Sequence, residues 1–186
     1  MAVGYDYFGA LYDVAKVINA SLEPDQVLGE IVRCVAEVMR VKACSLRILD
    51  SAKRTLLMGA SCGLSEGYIR KGLVLVSESG LDRKALEGKT IWIEDVQTDA
   101  DFQYHERAKS EGIRSVLVVP LMLGDVAIGV LRAYTSEVRQ FGEEEVRFLE
   151  VVANLSAIAL ENARMHQVLQ TNFDLLVAHK YRIDEN

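Results

Sequence analysis

The sequence has little of several things that define protein classes. It has three cysteines in 186 residues, Cys34, Cys44 and Cys62, widely spaced and without a C-x-x-C pair. That argues against a disulfide framework or a zinc knuckle, and fits reduced thiols of a cytosolic protein buried as small hydrophobes. With two prolines, scattered glycines and no low-complexity tract, it does not read as a linker or a disordered chain. Cations are outnumbered, 21 Lys and Arg against 27 Asp and Glu. The chain therefore lacks the basic excess that a nucleic-acid or anionic-membrane surface needs. No apolar run approaches the roughly 18–20 residues that cross a bilayer; the longest, Val116–Leu123, contains Pro120. The opening MAVGYDYFGALYD has no basic segment and does not resemble a signal peptide. Three separated histidines, no nucleophile elbow, no Walker loop and no dinucleotide fingerprint leave no catalytic residue or metal ligand to name.

What the chain does have is apolar patterning: 50% hydrophobic and 26% charged residues, enough for one domain with a full core and a helical extension. Its centre is GIRSVLVVPLMLGDVAIGVLRAY, Gly112–Tyr134. Two strands, Ser115–Met122 and Val126–Thr135, flank a Leu123-Gly124-Asp125 turn, and both are apolar enough for the middle of a sheet covered on both faces. On the second strand small Gly129 and Ala133 alternate with Val130, Arg132 and Tyr134. One face is thus suited to a closely packed helix, and the other carries a cation and a phenol.

Phe8, Leu11, Ala15, Ile18 and Leu22 recur at three- and four-residue spacing, predicting a helix over Tyr5–Leu22. A second, more deeply buried helix runs from Pro24 to about Arg40. Ala43–Asp50 and Thr55–Cys62 read as a hairpin. Between Gly63 and Gly112 the periodicity fades into short helical pieces near Ser65–Lys71, Gly80–Leu86 and Phe102–Glu111, with one strand, Thr90–Glu94. Connections this long inside a domain are typically functional, so a ligand site is expected beneath them. The last helix opens at Phe141–Glu145 with three glutamates where its dipole favours them. Phe148, Val152, Leu155, Ala159, Asn162, His166, Leu169, Phe173 and Leu176 then form a heptad seam. The seam, with Phe8, Leu11, Ile18 and Leu22, is expected to bury itself in a homodimer, Asn162 and His166 setting register.

This order of elements resembles the GAF family of sensory domains over about Leu11 to Met165. The strongest matches are GIRSVLVVPL with IGVL, and FGEEEVRFLEVVANLSAIALENA, where Phe148-Leu149, Ala153, Ala157 and Ile158–Ala163 fit the family's final helix. The resemblance implies an α+β fold: an antiparallel sheet of five or six strands, core order 2-1-5-4-3, with helices on one face and ligand-pocket loops on the other. It divides the chain into a domain over 1–165 and a helical extension over 166–186. It also implies a regulator that dimerises through its terminal helices and acts on a separate or attached output partner; with reduced thiols and no catalytic residue to name, a cytoplasmic, non-enzymatic one is expected.

Subclass signatures are missing. TSEVRQFGEEE lacks the Asn-Lys motif of cyclic-nucleotide binders, and no cysteine follows Gly63 to attach a bilin. His105 is the one candidate axial ligand for haem, with a solvent-facing histidine as the plainer alternative. For the branch that reduces free methionine sulfoxide, only Cys62 is expected near the pocket mouth, without a resolving thiol. No cofactor is named. In the implied sheet order Arg47 and Arg132 share the pocket face with Tyr134, and the pair is suited to a carboxylate or phosphate. The alternative is that both arginines close the cavity by pairing with Glu66, Glu78, Asp82, Glu94 or Asp101. Met58, Trp92, Phe102 and Tyr104 are the candidate apolar walls. A dimerisation module with a self-filled pocket therefore stands beside the ligand sensor, and a sulfoxide-reducing enzyme below both.

Overall fold

The computed structural model describes residues 6–20, 23–70, 72, 74–100, 102 and 104–184. Six strands form one antiparallel sheet in the order β3-β2-β1-β6-β5-β4. They are β1 (Ala43–Leu49), β2 (Thr55–Cys62), β3 (Val74–Leu75), β4 (Ile91–Ile93), β5 (Ser115–Leu123) and β6 (Val126–Thr135). Setting aside the two-residue β3 and counting the other five strands in chain order, the arrangement is the expected 2-1-5-4-3. The β5–β6 hairpin lies inside the sheet because nearly every residue of both strands is buried. Gly124 turns the chain between them at φ 60°.

Pro120 fits within β5 because its neighbour β4 pairs only with Val116–Val118. Its missing N–H therefore falls beyond the reach of that ladder. Gly129 has a different reason from the close helix approach expected of it. A Cβ there would come 2.2 Å from the Arg47 carbonyl oxygen, so β1, not a helix, demands the glycine.

Behind the sheet lie α1 (Tyr7–Ala20), α2 (Pro24–Val38) and α6 (Glu143–Asp184). Val27, Leu28, Ile31, Val32 and Val35 of α2 join Leu46, Leu117, Leu131, Phe148, Leu149 and Val152 in one apolar core. Pro24 occupies the first turn of α2, where its missing N–H costs nothing. Glu143, Glu144 and Glu145 open α6; Glu145 accepts from the Gly142 amide at 2.8 Å and pairs with Arg139. In front lie α3 (Glu66–Ile69), α4 (Gly80–Leu86) and α5 (His105–Glu111), over a second core of Leu56, Leu81, Ile93, Val116, Val118, Val130 and Tyr134.

The heptad seam divides in two. Phe148 and Val152 are buried in the back core, and Leu11, Ile18, Leu155 and Ala159 pack half-buried against it, so the domain itself uses them. Asn162 and His166 are exposed, as are Leu169, Phe173 and Leu176. Phe8 is also exposed, whereas Leu22 lies outside the described residues. Alongside the domain, the apolar residues that α6 leaves open are instead Val151, Ile158 and Met165, seven apart.

Candidate functional site

Alternation along β1 and β6 sends Ala43, Ser45, Arg47, Val130, Arg132 and Tyr134 forward, and Cys44, Leu46, Leu131 and Ala133 back. Arg132 is 3% exposed and forms an ion pair and hydrogen bond with the fully buried Asp82 of α4. Ser79 caps α4 by accepting from the Asp82 amide at 3.3 Å, fixing where the carboxylate stands. Arg132 Nη1 also donates to the Tyr134 hydroxyl at 3.5 Å, and that hydroxyl shares a 3.1 Å hydrogen bond with Ser45. Tyr68 of α3 meets the Tyr134 ring edge-on at 6.3 Å. Its helix is capped by Ser65, whose amide and hydroxyl both donate to Glu111 of α5. Burial opposes the Arg132 charge, but Asp82 and Tyr134 outweigh it and hold the guanidinium above its ordinary pKa. Burial also pushes the Tyr68 phenol up, helped by Tyr134.

Arg47 contrasts with Arg132. It is also 3% exposed, yet among the described residues its one hydrogen bond runs from Nη1 to the Leu56 carbonyl at 3.2 Å. Its Nε and Nη2 have no hydrogen-bond partner among the described residues. Burial lowers its pKa, and the like charge of Arg132 lowers it further. Asp82 eases that charge through space without a hydrogen bond to it, and Asp101, another of the expected partners, lies outside the described residues. Among the described residues Arg47 is thus the less balanced of the two arginines, and a poorly compensated buried cation is costly.

Of the other expected walls, Phe102 is buried and Tyr104 half-buried, and both line a cleft with Val74, Ser79, Leu81, Asp82 and Arg132. Burial and then Glu78 raise the Tyr104 phenol. Met58 lies opposite Arg47 on β2, half-buried. His105 starts α5, donates from Nε2 to the Asp99 carbonyl at 2.7 Å, and lies edge-on to Phe102. Trp92 is a correction: it pairs with back-facing Leu117, is 55% exposed, and stands on the other face from Arg47 and Arg132. The cleft holds about 10 Å³, room for one water. Larger hollows occur elsewhere, about 150 Å³ between α1, α2 and α6 and about 490 Å³ beside the β1–β2 turn. Neither includes the buried charges; the front cleft includes Asp82 and Arg132, and Arg47 is not among its lining residues.

Cys62 is a second correction. A bulge puts Gly59 between paired Leu46–Ala60 and Arg47–Met58, reversing the alternation of β2. Cys62 therefore packs on the back core opposite Cys44, away from the pocket mouth. Two residues that complete the site carried weak signals. Asp82 is one of five carboxylates the sequence offers the arginines, and Tyr68 shows only as an aromatic after a Ser-Glu helix start.

A family model described as GAF domain matches residues 21–161. The Nif-specific regulatory protein of Azorhizobium caulinodans is 24% identical over 94% of this chain and 29% of its own length. The formate hydrogenlyase transcriptional activator FhlA of Escherichia coli is 22% identical over 97% of this chain and 27% of its own. The chain thus spans less than a third of these curated relatives. Among solved structures, the GAF domain of a phosphoenolpyruvate-protein phosphotransferase from Coxiella burnetii superposes with TM-score 0.79 at 21% identity, covering 88% of this chain and 97% of that one. The free methionine-R-sulfoxide reductase of Neisseria meningitidis gives 0.72 at 20% identity, covering 86% and 91%, so one architecture serves both regulators and an enzyme. Matched over most of its length in sequence, and agreeing in strand order with the expectation drawn from it, the chain belongs to the GAF domain family.

Proposed function

We propose that this chain is a non-enzymatic, cytoplasmic sensory module that binds a small anion in front of its sheet and signals through a homodimer. The domain proper is 1–165, and 166–186 extends the dimer helix. Arg47 carries the reading. Its Nε and Nη2 offer N–H donors from a nearly buried guanidinium, the donor set that a carboxylate or phosphate accepts. Met58, Phe102, Tyr104, His105, Arg132 and Tyr134 would surround the ligand, with Arg132 held in place by Asp82. Entry requires the α4 and α5 segments to move outward, because the cleft now has room for one water.

The output surfaces are α1 and α6. Phe8, Leu169, Phe173 and Leu176 are exposed apolar residues, and a second copy of the chain would bury them. The regulatory relatives support a partner domain or protein that reads this state. Among the described residues no helix is long and apolar enough to cross a membrane.

Native mass spectrometry of freshly purified protein tests both parts. A retained small anion lost in Arg47→Met, together with a dimer mass, is the expected result. A dimer without ligand, unmoved in thermal shift by inorganic phosphate or acetate, would favour the second reading: a dimerisation module whose pocket is filled by its own side chains. The Asp82–Arg132 pair and the narrow cleft are what support that alternative. The sulfoxide-reducing reading ranks lower. Cys44 and Cys62 lie behind the sheet, and Cys34 on α2 packs against the same back core.

A further inference from the structure

The bulge at Gly59 does more than move Cys62 off the front face. It sets Cys62 directly across from Cys44 on the neighbouring antiparallel strand, both side chains entering the back core. Residues directly opposite in such a pair have Cβ atoms about 4.5–5.5 Å apart, close to what a disulfide spans after a small adjustment. The two thiols differ in access: Cys44 is fully buried and Cys62 half-buried. Cys34 packs against the same core from α2. Burial raises the Cys44 thiol, with Cys62 and then Cys34 adding to it. Among the described residues no group of three or more His, Cys, Asp or Glu is placed to hold a metal ion.

We propose that Cys44 and Cys62 are a cross-strand dithiol that closes to a reversible disulfide when the protein meets a peroxide. Cys62, the accessible thiol, reacts first. Its thiolate attacks one peroxide oxygen; the S–O bond forms as the O–O bond breaks, and the leaving hydroxide takes up the thiol proton as water. The product is a Cys62 sulfenic acid. The Cys44 sulfur then attacks the Cys62 sulfur. The S–S bond forms, the S–O bond breaks, and the oxygen departs with the Cys44 proton as a second water. Two thiols and one hydrogen peroxide thus give one disulfide and two waters, and a small dithiol restores the starting state. The bond would clamp β1 to β2 three residues before Arg47, whose side chain leaves β1 on the other face.

The three cysteines fall in separate tryptic peptides, because Arg33, Arg40, Lys42, Arg47 and Arg54 are cleavage points around and between them. The full chain, reduced and then exposed to hydrogen peroxide, is denatured with N-ethylmaleimide and mapped without reduction. The expected product joins Ala43–Arg47 to Thr55–Arg70, with Cys34 alone alkylated. Cys34→Ser should leave that link intact, and Cys62→Ser should remove it and leave Cys44 reduced. A link from Cys34 to either other cysteine, a Cys62–Cys62 link between chains, or Cys62 carried to sulfinic acid beside an alkylated Cys44 would overturn the proposal. The wild-type map alone decides it, even if a variant fails to fold.

Discussion

Behind the sheet the chain buries apolar side chains against one another; in front it buries charges. The back core is built from Val, Leu, Ile, Ala and Phe on three helices and three strands. The front layer holds Arg47, Asp82 and Arg132 with at most 3% exposure beneath short helices and loops. An apolar core draws on area removed from water and tolerates small errors of placement. A buried ionic cluster depends on each partner being present, since a lone buried charge costs several kcal/mol. The back is therefore where the fold is held, and the front is where it is sensitive to what it contains.

Removing one partner of the ionic cluster sharpens this contrast most. Asp82→Ala should cost about 3–5 kcal/mol, because Arg132 is left buried beside Arg47 with no carboxylate. A urea midpoint within error of the parent would show that water already neutralises the site and that the two faces are not so different. Gly129→Ala comes next, at about 1–3 kcal/mol from overpacking, since its Cβ would meet backbone and not a movable side chain. The same urea series reads it, and a silent substitution would mean β1 can shift away from β6 freely.

Arg47→Met should behave in the opposite sense to Asp82→Ala. Deleting a guanidinium with two unpartnered nitrogens is expected to be neutral or to gain about 1 kcal/mol, while binding of any anion is lost. A large destabilisation would instead mark Arg47 as a structural element of the front core. Phe173→Ala should leave the domain's unfolding unchanged within about 0.5 kcal/mol, being an exposed surface change. By analytical ultracentrifugation it should weaken a dimer, and an unaltered sedimentation profile would remove Phe173 from the interface.

The smallest effect concerns acid. Arg114, and then the Gln97 amide, hold the Asp95 carboxyl below its ordinary pKa. A depressed carboxyl stabilises the fold above its unfolded pKa, and that contribution fades as pH falls through the lower folded value. Arg114→Gln should therefore flatten the stability profile slightly below about pH 4 and change nothing at higher acidity, where both forms are protonated. An equal offset at every pH would point to lost packing.

The back of the molecule was readable because helical and strand periods repeat often enough to fix a phase. Val27 through Val35 on α2, and Leu131 with Ala133 on β6, announce their faces without any tertiary information. Arg47 and Arg132 were placed by the same alternation, once the strand order was supplied by family resemblance. The failures share a cause. β4 has three residues, too few for alternation to set which way Trp92 points. On β2 the bulge at Gly59 inverted the phase for Cys62. Which carboxylate answers Arg132 depends on where α4 docks, 50 residues away in sequence, and no local pattern carries that. The seam on α6 is longer than the free part of the helix, because Phe148 and Val152 serve the domain's own core before the helix leaves it.

The helix that leaves the domain has a mechanical consequence. It continues unbroken from Glu143 to Asp184, and its last residue buried against the domain is Ala163. At 1.5 Å per residue the remainder reaches about 30 Å beyond the body. Such a beam magnifies whatever happens at its root: a tilt of a few degrees beside the sheet sweeps the far tip through ångströms, and a twist arrives there undiminished. A displacement at the sheet is thereby enlarged at the far tip, the domain acting as fulcrum and the helix as pointer.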